Sequence, residues 1–245
     1  MEQSQENKQS ILTHLAALRN VLVKSAIAVL AAFMVIFYAA IDPIMQWITQ
    51  PITARGIEII YTAMSEALMT KLKVALIASI VAASPFIFWQ IWQFVHPALY
   101  PHEKKAVRLV FFVAVFLFLL GVVFCYGAVY MLAVDFFLIS GQDLASPMLS
   151  IDKYVSFLFG FILPFGIAFE LPVALYLTTR MGLTNHQMLA SKRKFVILAV
   201  VIIAAILTPP DVVSQVMLAI PILLLFEISL LIVKHIKPRA KEEAE

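Results

Sequence analysis

The sequence predicts an all-α, polytopic membrane protein with six transmembrane helices, and three observations support this fold class. First, 62% of the 245 residues are hydrophobic and only 13% are charged, whereas soluble domains are usually about 45–50% apolar and about 25% charged. Second, the chain contains several long apolar runs, as in membrane helices. Third, fourteen of the 18 Lys and Arg residues fall on one side of the predicted topology. Because basic residues accumulate on the cytoplasmic side, both termini are expected there.

The chain is expected to form one membrane domain over residues 1–245 with two polar ends. Residues 1–10 are polar and lack the apolar core of a cleaved signal peptide, which predicts a short flexible arm. Residues 13–24 have apolar side chains at helical spacing on one face, which predicts an amphipathic helix along the interface. Residues 234–245 are expected to form a charged cytoplasmic tail.

The first two spans are predicted from apolar runs that contain or meet a proline. The first covers residues 25–41, and Asp42 and Pro43 are expected to end it. The second covers residues 72–94 and includes Pro85. A proline inside a membrane helix is tolerated where a neighbour satisfies the freed carbonyl group, and we expect it to kink this helix.

The middle of the chain contains one outer segment and two further spans. Residues 42–70 alternate semi-apolar pieces with helix-breaking residues, which predicts short helices on the membrane surface. The apolar run over residues 107–139 would form a helix of about 50 Å, against a hydrocarbon core of about 30 Å, so it must tilt or project beyond the bilayer. A fourth span is predicted over residues 154–178.

The last two spans are predicted to be short. The fifth, residues 195–207, has about thirteen residues and therefore a length of roughly 20 Å. The sixth ends near residue 233 and is expected to be interrupted by Pro221 and Glu227, so its unbroken apolar part is also short. Two neighbouring short spans indicate a locally thinned bilayer.

The stretch from residue 85 to residue 105 combines aromatic residues with a charged turn. Trp and Tyr favour the membrane interface, and a single acid, Glu103, follows them among basic residues. An acid in this setting is a candidate receptor for a cationic peptide. The alternative is that Glu103 pairs with Lys104 or another base on a solvated turn. The spacing of these residues alone does not decide between a peptide receptor and such an ion pair.

Two further acids lie within apolar runs. Glu170 stands in the middle of the sequence FGIAFELP, and a carboxylate in a membrane usually faces a bundle interior or a wet cavity. It is either a protonated or paired structural group or a functional polar site. Glu227 lies nearer the inner end of its span and is expected to reach Lys234 or the interface.

The sequence TPPD predicts the start of the sixth helix. Thr208 is expected to be the N-cap, with Pro209 at the first helical position and Asp211 completing a capping box. Thr208 and Gln215 either belong only to this helix start or, at the end of a short span, face lipid or a partner helix to which they would hydrogen-bond. Hydrogen bonds of this kind contribute about 0.6–2 kcal/mol each.

The sequence contains no motif of a known enzyme class, such as HExxH, GxSxG or a P-loop, and no Cys/His spacing of a metal site. The single cysteine, Cys125, cannot form an intrachain disulfide. Basic residues lie beside the membrane segments rather than in one patch, which argues against nucleic-acid binding. We therefore expect neither an enzyme nor a cofactor, metal or nucleic-acid partner.

Several motifs in order along the chain resemble the TatC family, the multispanning subunit of the twin-arginine protein translocase. They are HLAALR from His14, WQFVHPALYPHEKK after the second span, FGIAFELP in the fourth, and LTPPDVVSQ, AIP and LFEI near the end. Together they cover nearly the whole chain.

This resemblance implies a receptor for signal peptides that carry two consecutive arginines. In the family the glutamate after PALY is central to binding the arginine pair, and that position is Glu103. The other positions assigned to signal-peptide binding by the resemblance are Arg19, Phe94 and His14. The resemblance also implies transport of folded proteins across the inner membrane, driven by the proton-motive force.

The implied partners are single-span proteins of the TatA and TatB type, the lipid bilayer and further copies of the chain. Thr208 and Gln215 match the family's docking edge for partner helices, and Tyr126 is expected to contribute from the third span. Glu170 matches the membrane carboxylate of the family's concave face. One position departs from the usual HLxELR motif, because Ala17 stands where the family has a second glutamate.

A proton-coupled secondary transporter of a small solute, using Glu170, is the alternative function. Such a protein is expected to have broken helices in corresponding halves of the chain and detectable internal symmetry. The sequence shows one clear acid near a span centre and no internal repeat, so the translocase receptor ranks first.

Overall fold

The computed structural model of the protein describes residues 2–99, 104–141, 147–208 and 211–236. Within these ranges, side chains are described except in residues 2–15, 95–99 and 104–107. The helices are α1 (Glu2–Val35), α2 (Ile41–Thr53), α3 (Glu66–Leu99), α4 (Lys104–Phe124), α5 (Met131–Gly141), α6 (Ile151–Ala168), α7 (Leu171–Arg180), α8 (His186–Ser191), α9 (Arg193–Leu207) and α10 (Val212–Lys234). Two strands, β1 (Glu58–Ile60) and β2 (Met148–Ser150), and two π-helical segments, Ile36–Ala40 and Cys125–Tyr130, complete the described elements.

Five helical stretches of the described chain are long and apolar enough to cross a membrane: Ala16–Thr53, Glu66–Phe94, Arg108–Gly141, Ile151–Arg180 and Val212–Lys234. A further apolar helix, α9, has only 15 residues, fewer than the roughly 20 that a span usually needs. Its length agrees with the short fifth span that the sequence predicts. The predicted class, an all-α polytopic membrane protein, is confirmed.

The chain divides into two compact units. The first comprises Met1–Gln46 and Lys71–Phe111, and the second comprises Trp47–Thr70 and Phe112–Glu245. The first unit holds all of α1 and most of α3, and the second holds the strands and the helices from α5 to α10.

The first helical stretch extends beyond both of its predicted ends. Helix α1 begins at Glu2, so the residues predicted to form a flexible arm are helical where the structure describes them. The π-helical turn Ile36–Ala40 then leads directly into α2, and the prediction that Asp42 and Pro43 end the helix is wrong. Pro43 lies in the first turn of α2, directly after the π-helical turn, where the hydrogen-bond pattern of the helix changes. Asp42 pairs with Lys71 at 2.7 Å, which offsets its charge.

Helix α3 continues through Pro85, and the structure shows which group compensates. A proline removes the N–H that would bond the carbonyl group four residues earlier, here that of Val81. The buried hydroxyl of Ser84 donates to this oxygen at 2.7 Å. The expectation that a neighbour satisfies the freed carbonyl is therefore confirmed.

The predicted fourth span is two helices, α6 and α7, separated at Phe169 and Glu170. Pro172 lies in the first turn of α7 and cannot donate the hydrogen bond that would continue α6. Helix α4 packs closely against this region, because a Cβ atom on Gly121 would lie 2.8 Å from the carbonyl oxygen of Phe165. Only glycine allows the two backbones to approach this closely.

Helix α10 packs against both α7 and α9. It runs without a break for 23 residues through Pro221 and Glu227 and is long enough to cross a membrane, so the predicted short sixth span is wrong. A proline in a membrane helix removes one hydrogen bond without ending the helix when neighbouring helices hold it on both sides. The charged tail predicted to begin at residue 234 falls mostly outside the described residues.

Strands β1 and β2 pair in parallel, with Glu58 opposite Met148 and Ile60 opposite Ser150. The sequence predicts short surface helices around β1 and an outer loop over residues 140–153, which include β2. Each strand has three residues, too few for an alternating pattern to stand out.

The buried carboxylate of Glu66 joins these strands to two helices. Its Oε2 accepts hydrogen bonds from the N–H and the hydroxyl of Thr62, and from the N–H of Ala63 at 3.2 Å. Its Oε1 accepts from the hydroxyl of Ser150 and from the N–H of Asp152 at 3.2 Å. One side chain therefore ties the start of α3 to the start of α6 across 86 positions of sequence.

Two tyrosine hydroxyls donate hydrogen bonds to the backbone of α2. Pro51 lies inside α2 and leaves the carbonyl group of Trp47 without its usual helical donor. The hydroxyl of Tyr126 donates to that oxygen at 3.3 Å. The buried hydroxyl of Tyr154 donates to the carbonyl oxygen of Ile48 at 2.7 Å.

Replacing Tyr154 with phenylalanine is expected to lower the free energy of unfolding by about 1 kcal/mol, because one buried hydrogen bond is lost. The measurement is denaturant unfolding of the purified protein in detergent. Tyr61→Phe is the matched control, since Tyr61 is 68% exposed. Equal stability of Tyr154→Phe and wild type would show that the contact to Ile48 contributes nothing.

Candidate functional site

The structure describes the side chains of two of the four residues predicted to bind a signal peptide. Arg19 is exposed on α1, and Phe94 is half-buried near the end of α3. Glu103 lies outside the described residues, as does the side chain of His14. Arg19 and Phe94 belong to the same compact unit.

Aromatic side chains occupy the end of α3, where the sequence predicts an interfacial belt. Trp89 is 47% exposed and meets the ring of Phe111 edge to face at 5.4 Å. Trp92 is buried, and its indole N–H has no hydrogen-bond partner among the described residues. This end of α3 thus presents both an exposed aromatic face and a buried donor beside Phe94.

The position that departs from the family motif is accessible. Ala17 and Arg19 are both exposed on α1. A carboxylate at position 17 would therefore be presented to the surroundings without disturbing packed side chains. A substitution at position 17 can therefore change recognition without changing the fold.

The helix start near Thr208 differs from the prediction. Thr208 ends α9 and does not begin α10, and its buried hydroxyl donates to the carbonyl oxygen of Ala204 at 2.9 Å. The N-cap of α10 is Asp211, whose Oδ1 accepts from the N–H of Ser214 at 2.7 Å. A residue that precedes proline avoids the helical region, so two consecutive prolines delay the helix start to Asp211.

Gln215 also has a hydrogen-bond partner inside the chain. Its Nε2 donates to the carbonyl oxygen of Val201 at 3.0 Å and so links α10 to α9. An amide has a second N–H and an oxygen that accepts two bonds, which leaves hydrogen-bonding capacity for a further partner. Beside Gln215, α10 exposes an apolar stripe at four-residue intervals: Val212, Val216, Ile220, Leu224 and Ile228.

Tyr126, the third residue predicted for helix docking, has a different environment. Its ring stacks on Trp47 at 4.2 Å and on Tyr130 at 6.0 Å. No hydrogen bond or ring contact joins it to Thr208 or Gln215 within the part of the chain that the structure describes. Its contacts hold α2 in place. None of them connects Tyr126 to the end of α9 or the start of α10.

Glu170 lies at the junction between α6 and α7. Its side chain is half-buried. Its Oε1 is buried without a hydrogen-bond partner among the described residues. The structure therefore places a polar group at a helix break inside an apolar region.

Glu227 is paired, but not with the predicted residue. Its carboxylate lies 2.9 Å from the guanidinium group of Arg193. The pair joins the first residue of α9 to α10 near its predicted inner end. Lys234 lies two turns beyond Glu227 along α10, whereas α9 runs beside it.

Comparison with known proteins identifies the family. The family model described as Sec-independent protein translocase protein (TatC) matches residues 13–221. The chain belongs to the TatC family. The resemblance seen in the sequence motifs is confirmed, and the protein is a membrane component of Sec-independent protein translocation, not an enzyme.

Relatives of known family match over nearly the whole chain. The TatC protein of Carboxydothermus hydrogenoformans is 42% identical over 236 residues, which cover 96% of this chain and 97% of that protein. The TatC protein of Haemophilus influenzae is 36% identical over 98% of this chain and 94% of its own length.

A solved structure described as the twin arginine translocase receptor TatC superimposes with a TM-score of 0.84 at 40% sequence identity. It covers 90% of this chain and 98% of the solved one. A second structure of TatC, in the detergent DDM, gives a TM-score of 0.82 at the same identity. The TatC fold is therefore shared over almost all of both chains.

Proposed function

We propose that the protein is the receptor and core scaffold of a twin-arginine translocase. It binds twin-arginine signal peptides at the cytoplasmic face and docks TatA- and TatB-type single-span helices, together with further copies of itself. Folded cargo then crosses the inner membrane with energy from the proton-motive force. The observation that carries the proposal is the match to solved twin arginine translocase receptors over 90% of the chain.

The proposed topology places both termini in the cytoplasm of a bacterial-type inner membrane. The distribution of Lys and Arg along the sequence supports this orientation. The proposed peptide site comprises Glu103, Arg19, Phe94 and His14 on that face. The exposed aromatic end of α3 supports it, because a signal peptide is apolar beyond its arginine pair.

The experiment that tests the proposed function is transport in bacteria that lack their own TatC protein. Cells that produce this chain, with its cognate single-span partners, should export a folded reporter that carries a twin-arginine signal. A reporter with two lysines in place of the arginines should remain in the cytoplasm. Export of both reporters, or of neither, would contradict the proposal.

Restoring the missing acid is expected to strengthen recognition. Ala17→Glu places a carboxylate two positions from Arg19 on an exposed surface of α1. The affinity for a twin-arginine peptide should rise about fivefold, the scale of one partly screened ion pair. The measurement is a binding titration, with Ala17→Gln as the control for size. Equal or weaker binding by Ala17→Glu would place the arginine site elsewhere.

The proposed docking edge for a partner helix is the outer end of α9 and α10. The exposed stripe on α10 supplies an apolar surface, and Gln215 retains hydrogen-bonding capacity next to it. A single-span helix with a polar group at the same depth would pack against the stripe and form a hydrogen bond with Gln215. Thr208 lies at this edge, but its hydroxyl is buried and already donates to Ala204, so Gln215 is the residue that offers a hydrogen bond to the partner.

Gln215→Leu is expected to weaken association with the partner helix several-fold, since interhelical hydrogen bonds contribute about 0.6–2 kcal/mol. The variant should remain inserted, although it also loses the bond to Val201. Site-specific crosslinking from position 216, the neighbouring exposed residue on α10, measures the association in membranes. Ser229→Ala is the control, because it removes a buried hydroxyl of α10 that donates to Leu225.

If the partner helix crosslinks to the first or third span in resting and transporting membranes alike, the docking edge is wrong. A loss of crosslinking in Ser229→Ala as well would trace the effect to the packing of α10, not to Gln215.

The secondary-transporter alternative has less support. Glu170 does lie at a helix break, as that function requires. Membership of a protein-translocase family and the absence of a repeat in the sequence both favour the translocase.

A further inference from the structure

A pocket of about 400 Å³ opens in the second unit between α2, α5, α6 and the start of α10. Its volume lies within the range of about 300–1,000 Å³ that is typical of small-molecule sites. Its walls are mainly apolar side chains, including Val134, Phe137, Leu149 and Phe157. The peptide site and the docking edge proposed above do not use these side chains.

Two charged residues also line the pocket, and they carry opposite signs. Lys153 lies in the first turn of α6 and is exposed. Asp211 uses Oδ1 to cap α10, whereas its Oδ2 is buried and has no hydrogen-bond partner among the described residues. A buried carboxylate oxygen without a donor is costly, so this atom is suited to receive an N–H from a ligand.

An apolar cavity lined by one cation and one anion is complementary to a zwitterionic amphiphile. Lys153 can pair with a phosphate group, and the free oxygen of Asp211 can accept from an ammonium group. The apolar walls suit an acyl chain. In a protein whose helices cross a membrane, the abundant molecule with all three features is a phospholipid.

We propose that this pocket binds part of one phosphatidylethanolamine molecule, with the upper part of one acyl chain against Phe137 and Phe157 and the head group between Lys153 and Asp211. A phosphatidylcholine head group has no N–H to donate to Asp211, and phosphatidylglycerol has no cation. Acyl-chain burial does not select among these lipids, because the chains leave an equally apolar bilayer. Selectivity must therefore come from the two charged residues.

The bound lipid would contact α2, α5, α6 and the start of α10 at once. It would fill the space between these four elements, and the other lipids of the bilayer could not take its place. Loss of the lipid is accordingly expected to loosen this end of the second unit.

The experiment is native mass spectrometry of the purified protein after exchange into equal amounts of dioleoyl phosphatidylethanolamine, phosphatidylcholine and phosphatidylglycerol. We expect one retained molecule per chain, predominantly the ethanolamine lipid. Lys153→Gln and Asp211→Asn should each reduce its retention about fivefold, because each removes one charge-assisted contact. Lys234→Gln and Glu58→Gln, at exposed positions outside the pocket lining, should leave retention unchanged.

Asp211→Asn keeps an oxygen that can cap α10, so it removes the charge without removing the cap. A second measurement uses the shift in melting temperature on adding short-chain lipids, since a ligand that binds the folded state raises it. Phosphatidylethanolamine should stabilise the wild type more than phosphatidylcholine, and Asp211→Asn should remove that difference. Equal retention of the three lipids, unchanged retention in both pocket variants, or protein instead of lipid captured by a photocrosslinker at position 157 would overturn the proposal.

Discussion

Glu103→Gln is expected to weaken binding of a twin-arginine signal peptide roughly tenfold to hundredfold, because hydrogen bonds to a charged group are among the strongest available to a side chain. The amide keeps the size of the side chain but cannot pair with two guanidinium groups. With Ala17 in place of the family's second glutamate, Glu103 is the one acid that the recognised motifs place in this patch. The measurement is a titration of the purified protein with the peptide.

The matched control for Glu103→Gln is Glu227→Gln, which removes the same charge from the same predicted side of the membrane. Glu227 is paired with Arg193 in the chain, so its loss should leave peptide affinity unchanged. Wild-type affinity in Glu103→Gln would mean that Glu103 is an ordinary surface acid. That outcome would favour the pairing with Lys104 that the sequence leaves open.

Glu66→Gln is expected to produce the largest loss of structural order in the second unit. The carboxylate accepts hydrogen bonds from Thr62, Ala63, Ser150 and Asp152, and an amide would direct its own N–H groups at some of these donors. Backbone amides of β1 and β2 should exchange with solvent roughly tenfold faster, as when one local unit opens more often. Hydrogen exchange followed by mass spectrometry measures this effect.

Glu58→Gln is the control for that experiment, because Glu58 is an exposed acid on β1 itself. Thr62→Val should have an intermediate effect, since it removes one of the donors and leaves the backbone bonds in place. Unchanged exchange in Glu66→Gln would show that strand pairing alone holds this region.

The sequence predicted the parts of the fold that depend on local composition. Apolar runs located the spans because the bilayer requires about 20 such residues for each crossing. The tolerance of Pro85 was predictable as well, since the compensating hydroxyl of Ser84 is its neighbour in sequence. The short length of α9 followed directly from counting its residues.

Features that depend on contacts distant in sequence were missed. Glu66 gives no local signal, because its partners Ser150 and Asp152 lie more than 80 positions away. The β1–β2 pair joins segments equally far apart. The in-chain partners of Gln215 and Glu227 lie on the neighbouring helix α9, which helix periodicity alone cannot identify.

The candidate sites were predicted unevenly for the same reason. Family motifs assigned Glu103, Arg19 and Glu170, whereas spacing alone suggested the wrong N-cap at Thr208. Two consecutive prolines after Thr208 were the available signal, because they oppose a helix start before Asp211. The pocket lined by Lys153 and Asp211 could not be seen in the sequence, since it is assembled from α2, α5, α6 and α10.

The proposed receptor function is tested most directly by one comparison of affinities. Purified protein in lipid nanodiscs is titrated with a signal peptide that carries two consecutive arginines and with the same peptide carrying two lysines. Arginine forms bidentate bonds to a carboxylate and lysine does not, so the twin-arginine peptide should bind at least about tenfold more tightly. Equal affinities for the two peptides would contradict the account.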